Sequence, residues 1–172
     1  MNSRTLSARK STSRGKALET LVETANAMYL AKGKALLQKL HTGAVVGTGS
    51  IGFYKQKVWA DFVGMIAPNY EMHGRAVLIE CKARANYLYT EKKREPRKVF
   101  LWKLLEPHQA EACRKWKEYG GQAWIVLWTS DFMGRDGMYC FPYTDDELDT
   151  AHIAACSNVE IRKGVYDYLN LL

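Results

Sequence analysis

Apolar positions recur along the chain in a few periodic blocks. Leu18, Leu21, Val22, Ala25, Met28 and Tyr29 fall at helical spacing and make one apolar stripe. Ser13 suits the N-cap and Lys32-Gly33 the end, so a helix is predicted from Arg14 to that point. Residues 1–13 hold Ser, Thr, Arg and Lys with almost nothing to bury, and read as a mobile basic arm. They precede a single domain over 14–172. Lys34 to Leu40 is a candidate strand, followed by a loop with Gly43, Gly47, Gly49 and Gly52. Lys55 to Ile66 alternates as a strand or hairpin arm does, and Pro68-Asn69 marks a turn. Ala76 to Lys82 predicts another strand, and Tyr87 to Lys98 a polar, basic excursion. Pro107 suits the first turn of a helix that runs to Tyr119 and stops at Gly120-Gly121. Gln122 to Trp128 and Gly137 to Phe141 predict two strands. Asp145 to Ala155, with acids in its first turn, predicts a last helix. The order α-β-β-β-α-β-β-α implies an α/β class with a mixed central β-sheet flanked by helices.

Composition narrows the class. The chain has 172 residues, 47% of them hydrophobic, which suits one domain with one sizeable core and excludes a disordered or low-complexity polymer. Its apolar runs, such as Ala123 to Trp128, are strand-length and fall short of the roughly 20 residues that cross a bilayer. No membrane partner is expected. The N-terminus is polar and basic, so the expected location is the cytoplasm. The four cysteines, Cys81, Cys113, Cys140 and Cys156, show no C-x-x-C spacing and are expected to be reduced and mostly packed.

Charge adds a partner. The net charge is +7, unevenly spread: from Thr144 onward six acids face two bases, so residues 1–143 carry +11. Such a field attracts a polyanion, most often nucleic acid. The candidate phosphate contacts are Arg4, Arg9, Lys10, Arg14 and Lys16 near the N-terminus. Further candidates are Thr48 and Ser50 in the glycine loop, Lys55 and Lys57, and Lys92, Lys93 and Arg94.

The chemistry lies in Ile79-Glu80-Cys81-Lys82. On a strand Glu80 and Lys82 share one face, while Ile79 and Cys81 point the other way. E-x-K alone also suits a solvated sheet edge with a weak ion pair. Asp61, in Lys57-Val58-Trp59-Ala60-Asp61-Phe62-Val63, is an acid within an otherwise apolar strand, where charge is seldom buried without a partner. If the two strands pair, two carboxylates and an ammonium converge. Two carboxylates plus waters suit an oxygen-loving cation such as Mg²⁺.

An Asp followed one strand later by Glu-x-Lys resembles the PD-(D/E)xK nuclease superfamily, with Ala60 where the name has proline. Ser13-Arg14-Gly15-Lys16-Ala17-Leu18-Glu19 resembles the opening of Holliday-junction resolvases of the bacterial RecU and archaeal Hjc types. Gly47-Thr48-Gly49-Ser50-Ile51-Gly52 resembles the loop that approaches the scissile phosphate in the archaeal enzymes; a plain hairpin loop is the other reading. Pro107-His108-Gln109-Ala110 resembles the His-Gln of RecU-type proteins, and Tyr119 to Val126 their next strand. The resemblance covers roughly residues 13 to 130. It implies a restriction-endonuclease-like core and metal-dependent resolution of four-way junction DNA.

The resemblance also implies roles. Asp61, Glu80 and the Cys81 backbone carbonyl would hold Mg²⁺, with Mn²⁺ substituting. Lys82 would position or deprotonate the attacking water, and Gln109 would lie near the metal. Glu19 would add a ligand or orient a water, with Glu23 competing for that role. Paired cuts on a two-fold symmetric junction imply a homodimer. The aromatic and basic residues of 87–103 suit either a dimer contact or a junction arm. The alternatives are another nuclease of the superfamily with duplex or repair specificity, and a non-catalytic basic nucleic-acid-binding domain.

Overall fold

The computed structural model describes residues 3–41, 44–46, 53–55, 58–68, 76–85, 87–88, 96–130, 136–151, 153, 160–162 and 165–171. Helix α1 (Ser3–Ala31) buries Leu18, Val22, Ala25 and Tyr29, the stripe read from periodicity. It starts ten residues before the expected N-cap Ser13, so the backbone of the basic segment from Ser3 onward is helical. Its end falls where expected. Gly33 takes φ 62°, and its N–H bonds Leu30 O while Lys34 N–H reaches back to Tyr29 O. This left-handed turn satisfies the last carbonyls.

Five strands form the central sheet: β1 (Ala35–Lys39), β4 (Phe62–Ile66), β5 (Ala76–Ala83), β7 (Gln122–Ser130) and β8 (Asp136–Pro142), side by side in that order. Every neighbouring pair is antiparallel except β5 and β7. A parallel pair needs a long crossover. Here it contains β6 (Lys98–Phe100), a single 3₁₀ turn over Leu101–Lys103 and helix α2 (Pro107–Glu118). Among the described residues three further pairs stand apart from the main sheet: β2 (Ala44–Val46) with β3 (Phe53–Lys55), β6 with β9 (Glu147–Asp149), and β10 (Glu160–Arg162) with β11 (Val165–Asp167).

Alternation along β5 assigns the two cores. Val77, Ile79 and Cys81 pack with α1 and the C-terminal residues Val165, Tyr168 and Leu169. Leu78 points to the other face and packs among Leu101, Leu104, Ala110 and Cys113. Glu80 and Lys82 share the parity of Leu78, toward α2. Both faces of β5 are covered, so the solvated-edge reading of E-x-K fails: β5 is the middle strand. Cys113 and Cys140 are buried and reduced and Cys81 half-buried; Cys156 lies outside the described residues.

Two expected elements differ. The 55–66 strand is divided: Lys55 ends β3, and β4 begins at Phe62, so Asp61 stands just before its strand. Tertiary pairing causes the division, because Lys55 is matched to Ala44 while Phe62 is matched to Lys39 and Ile79. The expected helix over Asp145–Ala155 begins instead with strand β9 (Glu147–Asp149), paired with β6. Thr150 N–H bonds Arg97 O at 2.9 Å, Arg97 N–H donates to Thr150 Oγ1 at 2.8 Å, and that hydroxyl donates to Leu88 O. Among the described residues helical conformation there is confined to 150–151 and 153. Asp145 caps no helix; it accepts bonds from Arg114 and from the Tyr143 hydroxyl. Long-range pairing outweighs the local preference for acids at a helix start.

Candidate active site

The candidate residues meet where β1 ends, β4 begins and β5 runs toward its C-terminal end. The β4–β5 register pairs Phe62 with Ile79, so one step further brings Asp61 opposite Glu80. Asp61 extends the ladder on both sides: its carbonyl accepts from Leu40 N–H at 2.8 Å and its N–H donates to Ile79 O at 3.1 Å. Its carboxylate turns inward, and Oδ2 accepts the Cys81 N–H at 2.7 Å. Oδ1 has no hydrogen bond among the described residues.

Glu80 is 1% exposed. Its Oε1 accepts from Lys82 Nζ at 2.5 Å and from Gln109 Nε2 at 2.6 Å. Lys82 Nζ also donates to Gln109 Oε1 at 2.9 Å, closing a three-residue ring. Gln109 is held in turn: its Oε1 accepts the Glu106 N–H at 3.0 Å, half of a capping box that starts α2. The helix that opens at Pro107 therefore delivers one amide to the centre of the sheet. His108 stays outside this ring, with Nδ1 3.5 Å from Glu106 Oε2.

Glu80 Oε2 is different. It is buried and has no hydrogen-bond partner among the described residues. An unpaired buried carboxylate oxygen is costly unless a cation meets it. Burial, and next the negative charge of Asp61, push the Glu80 carboxyl up to about 8, with Lys82 opposing. Burial also raises Asp61, and the Cys81 N–H counters it. A buried carboxylate whose proton affinity is raised by a second acid beside it is what a divalent ion relieves.

Glu19 comes from α1 and bonds Lys39 Nζ at 2.8 Å; Glu23 bonds the same ammonium at 2.5 Å. Glu19 is the α1 carboxylate whose charge helps raise Asp61. Lys39 escaped the sequence reading. A signal existed: Lys39 shares strand parity with the buried Ala35 and Leu37, an unusual position for an ammonium. Among the described residues no three His, Cys, Asp or Glu side chains form a ready-made metal cage. One or two carboxylates with waters and substrate oxygens is nonetheless the donor set that Mg²⁺ accepts. With the orphaned Glu80 oxygen, these residues fit such an ion.

Thr48, Ser50, Lys57, Lys92, Lys93 and Arg94, and the 47–52 glycine loop, lie outside the described residues. Arg4, Arg9 and Lys10 lie in α1 and Lys55 in β3. Arg14 is half-buried and Lys16 exposed, both on α1. Among the described residues no helix is long and apolar enough to cross a membrane.

No curated protein matches the chain. The profile of the recombination protein U (RecU) family matches residues 13–155. The match extends beyond residue 130, takes in the 87–103 segment, and contains Glu19, Asp61, Glu80, Lys82 and Gln109. Most of the chain is thus accounted for by a family of PD-(D/E)xK-type nucleases, and Asp61, the buried Glu80 and Lys82 sit inside the matched region; the chain belongs to the recombination protein U family, endonucleases that resolve Holliday junctions.

Proposed function

We propose that the chain cuts four-way junctions by Mg²⁺-dependent hydrolysis, Mn²⁺ substituting, and that it works as a homodimer. The orphaned Glu80 Oε2, facing Asp61, carries this reading. Asp61, Glu80 and the Cys81 carbonyl would hold the ion, with Glu19 as a further ligand or water-orienting group. A bound Mg²⁺ would supply a Lewis acid that lowers the pKa of a nearby water and stabilises the leaving 3′ oxygen.

The protein's own groups do the rest. Lys82 Nζ, oriented by Glu80 and Gln109, positions or deprotonates the water that attacks phosphorus in line. Gln109 acts on geometry: it holds Lys82 and Glu80 in one arrangement. The P–O3′ bond breaks, leaving a 5′-phosphate and a 3′-hydroxyl. Lys39 bridges Glu19 and Glu23 beside the site and offsets one of their two charges. Arg4, Arg9, Lys10, Arg14 and Lys16 are carried on one helix, suited to track phosphates. Thr48, Ser50, Lys55, Lys57, Lys92, Lys93 and Arg94 complete the proposed DNA contacts. A four-way junction has approximate two-fold symmetry, and two matched cuts call for two equivalent sites.

The test is cleavage of labelled four-way junction beside linear duplex of the same sequence, in Mg²⁺, Mn²⁺ or EDTA. Paired symmetric nicks in the junction alone, lost in EDTA and in Asp61→Asn, are expected. Normal cutting by Asp61→Asn would overturn the metal-site assignment, and equal cutting of duplex would overturn junction selectivity.

A further inference from the structure

The 3₁₀ turn before α2 presents two large side chains to the outside. Leu101, Leu104 and Leu105 are buried in the α2-side core. The Leu104 N–H bonds Leu101 O at 2.8 Å, so these residues, three apart, face inward together. Trp102 is thrown outward and remains 42% exposed. Its ring centroid lies 5.9 Å from that of Phe100, at 38° between planes. Lys103 Nζ lies 5.1 Å from the Phe100 centroid and 5.3 Å from that of Trp102. Lys103 has no carboxylate partner among the described residues, whereas Lys98 on the same segment reaches Glu147 at 3.6 Å.

A tryptophan on a rigidly anchored turn, with an unneutralised ammonium over it, contributes little to a core. The group matches a nucleotide: an aromatic face for a base and a cation for its phosphate. The turn also leads straight into Glu106 and the α2 capping box that fixes Gln109. Gln109 lies seven positions after Trp102, so the chain itself keeps the two within about 25 Å.

We propose that Phe100, Trp102 and Lys103 form a stacking platform for a base exposed at the junction's branch point, with the Lys103 ammonium taking the adjoining phosphate. It rests on the junction-resolving reading and adds a source of selectivity to it. A continuous duplex stacks its bases and hides their faces; a branch point interrupts that stacking. An aromatic face accepts any base, so the platform distinguishes shape without reading sequence.

The experiment uses the full chain in EDTA, with 2-aminopurine placed at the branch point of a four-way junction or in mid-duplex. The wild type is expected to quench the branch-point label. Trp102→Ala is expected to lose that quench and to weaken junction binding about 5- to 100-fold, while duplex affinity, carried by phosphates, changes less than about twofold. Trp102→Phe should restore most of the junction affinity. Lys103→Ala should reduce the salt dependence of junction binding by about one phosphate contact. These last two variants carry the test if Trp102→Ala melts early. Equal weakening on junction and duplex, or no weakening, would overturn the platform. So would a Trp102→Ala chain that still quenches but changes its sedimentation mass, which would make the turn a protein interface. Junction nicking by the wild type in Mg²⁺ is scored separately: nicking without quench rejects the platform alone, and no nicking rejects the enzymatic reading.

Discussion

Among the described residues two acids are buried, and they are held in different ways. Asp167, 3% exposed, is the last residue of β11. Its Oδ1 accepts from the Tyr29 hydroxyl and from Leu171 N–H, each at 2.8 Å. Around it the Tyr29 hydroxyl accepts Leu169 N–H at 3.1 Å, and Tyr168 OH donates to Asn26 Oδ1 at 2.6 Å. These partners are neutral and already in place. They lock the C-terminal segment onto α1, and burial raises the Tyr29 phenol well above its ordinary range. Glu80 is buried as deeply, yet one oxygen carries both of its bonds and the other has none among the described residues. A carboxylate met by neutral fixed donors closes a fold. A carboxylate left half-satisfied beside a second acid keeps a place for a cation.

The sharpest break in that comparison is exchange of each acid. Glu80→Gln is expected to lower junction cleavage by about 10³-fold or more, as loss of a charge-stabilising group does. It should leave junction binding in EDTA intact, checked by single-turnover nicking and by anisotropy. Asp167→Ala should reverse the pattern. It strands the Tyr29 hydroxyl and Leu171 N–H, so unfolding in urea should come earlier by about 2–4 kcal/mol, with cleavage per folded molecule retained. If Asp167→Ala cuts poorly while staying folded, the division between a structural and a chemical acid fails.

Gln109→Ala sharpens the comparison at a smaller scale. It removes the amide that ties Glu80 to Lys82, and cleavage is expected to fall about 10- to 100-fold. A shift in the Mg²⁺ concentration giving half-maximal rate should accompany it, because the amide acts through the acid it positions. Wild-type kinetics would show that the ring does not organise the site.

The last test is a pH dependence. Folding raises the Glu80 carboxyl from 4.5 to about 8. Between those values the folded protein keeps a proton that the unfolded chain releases. This contribution to stability is therefore full below about 4.5 and is lost as pH rises toward about 8. In EDTA, the urea midpoint of wild type relative to Glu80→Gln should fall from pH 5 to pH 8, and Mg²⁺ should restore more stability at pH 8 than at pH 5. A flat difference would mean that Glu80 is ionised throughout.

Much of this was legible from the residues alone. The Leu18–Tyr29 stripe, the helix opened by Pro107 and closed at Gly120-Gly121, and the strands around 76–82 and 122–128 all follow from local periodicity and turn chemistry. So does the shared face of Glu80 and Lys82, because alternation on a strand is a property of the backbone. The ordered Asp and Glu-x-Lys was visible for the same reason. Periodicity does not contain register or neighbours. Only the tertiary structure decided that β5 is a central strand, that Asp61 lies opposite Glu80, and that Gln109 closes the ring with Lys82. Lys39 was missed because its meaning depends on two glutamates of a separate element, 16 and 20 residues earlier. The start of the Asp145–Ala155 helix was misread because its acids fit a helix start locally, while pairing of Glu147–Asp149 with Lys98–Phe100 stabilises a strand. Local sequence sets which conformations are cheap and which faces are apolar; the packing of distant segments chooses among them, and it is that choice which leaves one oxygen of Glu80 open.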